Sequence, residues 1–101
     1  MYKVAYSIKF YIDIWFIKSH ISLVLKDEKA AETLFNLIMD KADSLCDFPE
    51  RYPKITILNR KYHRMPVKNF NIYYCVDKVT KTVTIARVLY SGRDINQVAI
   101  N

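Results

Sequence analysis

Alternation of apolar and polar residues in the last third of the chain is the clearest structural signal in this sequence. Residues 70–77 place apolar side chains at every second position, which is the pattern of a strand with one buried face. Residues 82–90 are rich in β-branched residues and predict a second strand, joined to the first by a hairpin loop. Residues 62–67 predict a third strand, with Pro66 near a sheet edge or strand end. Residues 2–6 alternate as well and predict a short first strand.

Two helices are predicted between the first strand and the last three. Ser7 is placed to cap a helix that runs to about Leu25 and is apolar around most of its circumference. Asp27 is placed to cap a second helix, whose apolar residues recur at steps of three and four until Phe48 and Pro49 end it. The first helix must therefore be covered on more than one side, either by the second helix and the sheet or by a partner chain.

The order of these elements defines the fold class. One strand, two helices and three antiparallel strands predict a two-layer α+β domain, with the N-terminal strand and an antiparallel helix hairpin packed on a small antiparallel sheet. A chain of 101 residues fits one domain, spanning residues 1–101. Residues 54–61 fit either a strand or an exposed loop, and residues 94–101 form a short tail. The expected contacts between the helices involve Ala31, Leu34, Ile38 and Leu45 of the second helix and Ile8, Ile14 and Trp15 of the first.

Charge is distributed unevenly along the chain. The net charge is +6, yet residues 27–50 hold seven acids, and residues 51–76 hold six lysines and arginines and no acid. This predicts an acidic second helix and a basic sheet edge, to which a phosphate backbone or an acidic protein would be attracted. A solvated lysine-rich surface without a partner explains the composition equally well.

Cysteine usage and hydropathy favour a cytoplasmic protein. Cys46 and Cys75 have no histidine or cysteine at metal-ligand spacing, so we expect buried free thiols, with a disulfide or a reactive thiol as the alternative. Residues 8–25 are strongly apolar, but Lys9, Asp13, Lys18 and His20 within them argue against a spanning helix. No small-residue cleavage pattern follows this segment, so a signal peptide is not expected.

Four phrases, in this order along nearly the whole chain, resemble the RelE/ParE toxin superfamily of bacterial toxin–antitoxin modules. They are Tyr2–Ser7, Phe48–Pro53, Arg64–Phe70 and Arg87–Asp94. The resemblance implies a small cytoplasmic toxin of a type II module, held inactive by a cognate antitoxin that wraps around it in a hetero-oligomer. It implies no metal, no cofactor and no membrane.

The superfamily contains two activities, and the fold does not choose between them. RelE-like members cleave mRNA on the ribosome, and this activity, that of an mRNA interferase, is the first hypothesis for the present chain. ParE-like members inhibit DNA gyrase without being enzymes, which is the alternative. A third possibility is a relative that has lost toxicity and only binds its antitoxin.

Candidate site residues follow from what ribose-directed RNA cleavage needs, namely proton transfer and cations around a phosphate. The candidate catalytic set is His63, Arg64, Arg87, Tyr90 and Arg93. Arg60, Lys61 and Lys68 are candidate nucleic-acid-binding residues. Arg87 interrupts an otherwise apolar run, so we expect it on an open sheet face together with Arg64 and Arg93. The ordinary alternatives are a surface histidine at position 63 and a packing role for Tyr90.

Overall fold

The computed structural model describes residues 1–97, and it contains seven main elements. The tail predicted at residues 94–101 forms a 3₁₀ turn at Ile95–Gln97, and its last four residues, 98–101, lie outside the described residues. The elements are β1 (Lys3–Tyr6), α1 (Ile8–Ser19), α2 (Glu28–Asp43), β2 (Lys54–Ile57), β3 (Arg60–Val67), β4 (Phe70–Asp77) and β5 (Thr82–Tyr90).

The strands form one mixed sheet in the order β1-β5-β4-β3-β2. Each of the strands β2 to β5 pairs antiparallel with its neighbour along the chain, whereas β1 lies parallel to β5. Residues 54–61, which the sequence left open between strand and loop, supply β2 and its turn into β3. The turn residues Leu58 and Asn59 both have positive φ, 49° and 68°, as in a type I′ two-residue hairpin. The sheet therefore has a fifth strand that the sequence-based architecture lacked.

Both helices begin at their predicted caps. The Ser7 hydroxyl accepts a hydrogen bond from the Phe10 amide at 3.0 Å, and the Asp27 carboxylate accepts one from the Ala30 amide at 2.9 Å. α1 is not regular to Leu25, because it widens into a π-helical turn at His20–Val24. Within residues 1–97, no helix is long and apolar enough to cross a membrane.

The main core lies between the helices and one face of the sheet. Of the residues predicted for this contact, Ala31 and Ile38 of α2 are buried, as is Leu45 of the 3₁₀ turn that follows it, whereas Leu34 is half-buried against the core. Ala42 of α2 is buried as well. The expectation for the first helix is only partly correct, since Ile14 is buried whereas Ile8 and Trp15 are 79% and 63% exposed. The residues that fill this core include Phe10, Ile14, Ile38, Leu45, Met65, Ile72, Tyr74, Val83, Ile85 and Val88.

A second, smaller core covers the other face of the sheet. Tyr62, Tyr73 and Leu89 are buried there, and Ile95 of the C-terminal 3₁₀ turn packs against them. Both faces of the sheet are thus partly covered, so the sheet face that the sequence predicted to be open carries apolar side chains as well as basic ones.

Candidate functional site

A β-bulge in β5 lies next to Arg87. Tyr73 of β4 pairs with Arg87, while Tyr74 pairs with Ile85, so Ala86 is an extra residue in β5. The apolar–polar alternation of the strand is interrupted there, so Val88 and Tyr90, not Leu89, follow Ile85 on the helix side of the sheet. The expectation that Arg87 lies on an open sheet face is wrong, because its side chain is only 13% exposed and its guanidinium is bonded to Asp13 of α1.

Asp13 of α1 receives the Arg87 guanidinium. Nε and Nη2 of Arg87 each donate to one carboxylate oxygen at 2.7 Å, and the Val88 amide donates to the same carboxylate at 3.1 Å. The two side chains are only 13% and 9% exposed. Bidentate geometry of this kind is among the strongest pairings available to arginine. The pair joins α1 to the outer edge of β5.

Beside this ion pair lies a groove of about 490 Å³, which we call the C-terminal groove. Its walls are α1, the π-helical turn and the ends of β4 and β5. Apolar side chains dominate the lining, with basic groups placed among them. The groove residues include Phe16, Ile17, Ile21, Phe70 and Tyr90, together with His20, Arg87 and Arg93.

Tyr90, the last residue of β5, is 55% exposed. Its ring meets the Phe70 ring edge to face, with centroids 6.2 Å apart. A Cβ atom on Gly92 would lie 2.5 Å from Cε2 of Tyr90, so only glycine leaves the ring in this position. Two backbone hydrogen bonds hold the turn that follows β5. The Ser91 amide donates to the Asn69 carbonyl at 2.8 Å, and the Arg93 amide donates to the Tyr90 carbonyl at 3.1 Å.

His63 lies in the core, away from this groove. It is 4% exposed, and its ring stacks on Tyr74 with centroids 5.0 Å apart and planes 13° apart. Its Nδ1 atom lies 2.8 Å from the Tyr52 carbonyl oxygen. A surface position for this histidine, the ordinary alternative considered from the sequence, is therefore wrong.

The remaining predicted residues fall at separate places. Arg64 is exposed on β3 and pairs with Tyr73, so it belongs to the sheet face opposite the helices. The Arg60 guanidinium lies 5.8 Å from the centroid of the Tyr62 ring. Lys61 lines a small cavity with His63. Lys68, with a φ of 55°, occupies the β3–β4 turn and lines a surface depression with residues of α2. The structure therefore brings together Arg87, Tyr90 and Arg93 of the predicted set at the C-terminal groove, and His63 and Lys61 at a separate small cavity.

Sequence reasoning missed the role of Asp13. The usable signal was a single carboxylate within a helix that is apolar on most sides, because a buried aspartate needs a cation or several hydrogen-bond donors. Within residues 1–97, no three His, Cys, Asp or Glu side chains form a group that could hold a metal ion.

The outer surface of α1 and of the π-helical turn remains uncovered. Large apolar side chains there are between 49% and 79% exposed, far more than a monomer normally presents in one place. Single exposed apolar residues are common, but these follow one another along one surface, which we call the apolar helix surface. It consists of Ile8, Tyr11, Ile12, Trp15, Phe16, Leu23, Val24 and Leu25.

The fold, with two helices packed on a five-stranded mixed sheet, is that of the RelE/ParE superfamily. In particular, the family model of the ParE toxin of type II toxin–antitoxin systems matches residues 13–95. The chain therefore belongs to the ParE toxin family, and it is a toxin of a type II toxin–antitoxin system.

Three solved structures have a fold similar to that of this chain. The chromosomal ParDE toxin–antitoxin system of P. aeruginosa contains a chain 16% identical to this one, with a TM-score of 0.75 over 89% of this chain and 96% of that one. The archaeal RelE–RelB complex of Pyrococcus horikoshii gives a TM-score of 0.62 at 16% identity, covering 92% of this chain and 98% of that one. The RelBE2 complex of Mycobacterium tuberculosis gives 0.63 at 16% identity, covering 88% and 96%. No curated protein sequence gives a significant match.

Proposed function

We propose that this toxin arrests growth by binding DNA gyrase, in the manner of ParE-like proteins, and not by cleaving mRNA. The observation that carries the proposal is the state of His63, the predicted proton-transferring residue. It is 4% exposed, and its Nδ1 atom already bonds to the Tyr52 carbonyl. The match to the ParE family model over residues 13–95 supports the same choice.

The distance between His63 and the groove supports this proposal further. His63 pairs with Tyr74, and Tyr90 pairs with Phe70, so the two sites lie four residues apart along β4 and two strands apart across the sheet. Strand geometry makes that separation on the order of 15 Å. General acid–base catalysis needs hydrogen-bond contact with the reacting atoms. One RNA phosphate cannot meet His63 and Tyr90 at once, which favours a surface that binds over a site that cleaves.

We place the gyrase-binding residues at the C-terminal groove. Tyr90 and Arg93 are exposed there, and aromatic and arginine side chains are the residue types that most often dominate protein interfaces. Arg87 has a positioning role in this scheme, because its guanidinium is bonded to Asp13.

The partner that inhibits the toxin is an antitoxin, which covers the apolar helix surface. Both proteins meet in the cytoplasm. An uncovered surface containing Trp15 and Phe16 resembles the core of an interface more than a solvated helix. The related structures from P. aeruginosa, M. tuberculosis and P. horikoshii are toxin–antitoxin systems or complexes by their descriptions, which supports this assignment.

Two assays run side by side test the proposal. Purified toxin is added to a gyrase supercoiling reaction, and cellular mRNA is analysed by primer extension after toxin induction. We expect loss of supercoiling and no new mRNA ends. Arg93→Ala should weaken inhibition, whereas Lys41→Ala, which removes an exposed charge on α2, should not.

His63→Gln distinguishes the two mechanisms. Under the gyrase proposal this variant inhibits supercoiling as wild type does, provided that it remains folded by circular dichroism. New mRNA ends in wild-type cells that disappear with His63→Gln, together with normal supercoiling, would instead establish ribonuclease activity and overturn the proposal.

A further inference from the structure

A second cavity, which shares no lining residue with the C-terminal groove, is lined by residues of β2, β3 and β4 and by Glu50 of the turn at Pro49–Arg51. It has a volume of about 210 Å³. Three lysines contribute to its lining, together with His63, Tyr62 and Cys75. We call it the lysine cavity, after Lys54, Lys61 and Lys78.

His63 is buried, lies in the lining of this cavity and has a fixed tautomer. The Tyr52 carbonyl oxygen can only accept a hydrogen bond, so Nδ1 of His63 carries the hydrogen. The other ring nitrogen, Nε2, is then an acceptor in the neutral ring and a donor in the charged ring. Stacking on Tyr74 holds the ring in this orientation.

The cavity is positively charged even after its one carboxylate is counted. Glu50 lines it too, and its carboxylate lies 3.3 Å from Nζ of Lys78. Apart from Glu50, the lining residues include no carboxylate that could neutralise Lys54 and Lys61. Lysines that converge on a concave site create a stronger local potential than the same lysines spread over a convex surface.

We propose that the lysine cavity binds a phosphate group, either as a free anion or as part of a nucleic-acid backbone. Lys54 and Lys61 supply the cations that hold the phosphate oxygens. Lys78 remains with Glu50 at the rim. This site is separate from the proposed gyrase-binding groove, and it does not depend on that function.

The first experiment uses the full chain, expressed with its antitoxin and then separated from it. Its melting temperature is measured at low protein concentration in inorganic phosphate and in sodium chloride of equal ionic strength. Because a ligand that binds only the folded state stabilises it, phosphate should raise the melting temperature by several degrees over chloride. The increase should saturate with phosphate concentration.

Three variants test whether the increase in melting temperature comes from phosphate bound in the lysine cavity. Lys54→Ala/Lys61→Ala should weaken phosphate binding about tenfold or more, as expected for loss of two charge-assisted contacts. Lys29→Ala/Lys41→Ala removes the same charge from the exposed surface of α2 and should behave as wild type. Glu50→Gln removes the competing carboxylate and should strengthen binding, a gain that general destabilisation cannot produce.

Competition identifies the source of the phosphate. A fluorescein-labelled DNA duplex is titrated with the protein, and inorganic phosphate is then added. Displacement of the duplex by phosphate in wild type, lost in the Lys54/Lys61 double variant, assigns the site to a nucleic-acid backbone. Phosphate binding without any competition assigns it to a free anion. Equal melting temperatures in phosphate and chloride, or equal responses of both double variants, would overturn the proposal.

Discussion

Arg87 and Asp13 join β5 to α1 through two hydrogen bonds of 2.7 Å, at the point where a β-bulge interrupts the strand. The Asp13 carboxylate also accepts a hydrogen bond from the Val88 amide at 3.1 Å. Val88 lies beyond the end of β1 along β5, so no strand is available to bond this amide. Arg87, which the sequence predicted to be exposed, is therefore nearly buried and connects α1 to β5. Its substitution must change stability as well as function.

Arg87→Ala should lower the free energy of unfolding by about 3 kcal/mol, because it leaves the Asp13 carboxylate nearly buried without its cation. Urea unfolding followed by circular dichroism measures the effect. Arg64→Ala is the matched control, since Arg64 is exposed on β3, and its loss should cost less than about 1 kcal/mol. Equal stability of the two variants would contradict the structural role of the ion pair.

The contrast between Arg64 and Arg87 explains how far the sequence could predict the site. Alternation along β4 is undisturbed and was read correctly, whereas the bulge at Ala86 changes the faces of β5 without any local sequence signal. Ala86 has no partner of its own on β4, and nothing in the residues of the hairpin itself marks the position of the bulge. The partner Asp13 is 74 residues from Arg87, so no local pattern could have indicated it.

The sequence left β2 open between a strand and an exposed loop, and the reason is again physical. The strand has four residues and lies at the sheet edge, where few contacts enforce an apolar pattern. Its turn uses Leu58 and Asn59 at positive φ in place of the glycine that usually marks such a turn. Strong local signals, by contrast, placed the caps at Ser7 and Asp27 correctly.

Gly92→Ala should reduce toxicity while leaving stability nearly unchanged. The added Cβ would lie 2.5 Å from the Tyr90 ring, which is 55% exposed and can rotate away from it. The groove then loses its present shape without a large loss of buried area. Growth arrest after induction and thermal melting are measured for this variant and for Ser91→Ala, which should resemble wild type. Full toxicity of Gly92→Ala would mean that the Tyr90 ring position does not matter.

Stability should fall above pH ~10, where tyrosines begin to ionise. Burial raises the pKa of Tyr74 well above its ordinary value, and burial also raises the pKa of Tyr62. A folded-state pKa above the unfolded one means that the stabilisation is complete below the unfolded pKa and is lost as pH rises through the folded pKa. Urea midpoints between pH 7 and pH 11 test this expectation.

Tyr74→Phe separates the contribution of this residue. At pH 7 it should cost about 1–2 kcal/mol, because the Tyr74 hydroxyl donates to the Pro49 carbonyl at 2.5 Å and phenylalanine leaves that carbonyl unpaired. The same substitution should make the decline at high pH shallower than in wild type. An unchanged slope would mean that ionisation of Tyr74 does not drive alkaline unfolding.

The free toxin should self-associate, and its antitoxin should prevent this. Trp15 and Phe16 are 63% and 62% exposed within the apolar helix surface, and water contact with so large an apolar area favours association. Trp15→Glu/Phe16→Glu should therefore yield a more monodisperse protein in sedimentation and should weaken antitoxin binding at least about tenfold. Val79→Glu is the control, because Val79 is 93% exposed at the β4–β5 hairpin, away from this surface. A wild-type monomer at high concentration, or equal antitoxin affinity in the double variant and the control, would place the antitoxin on another surface.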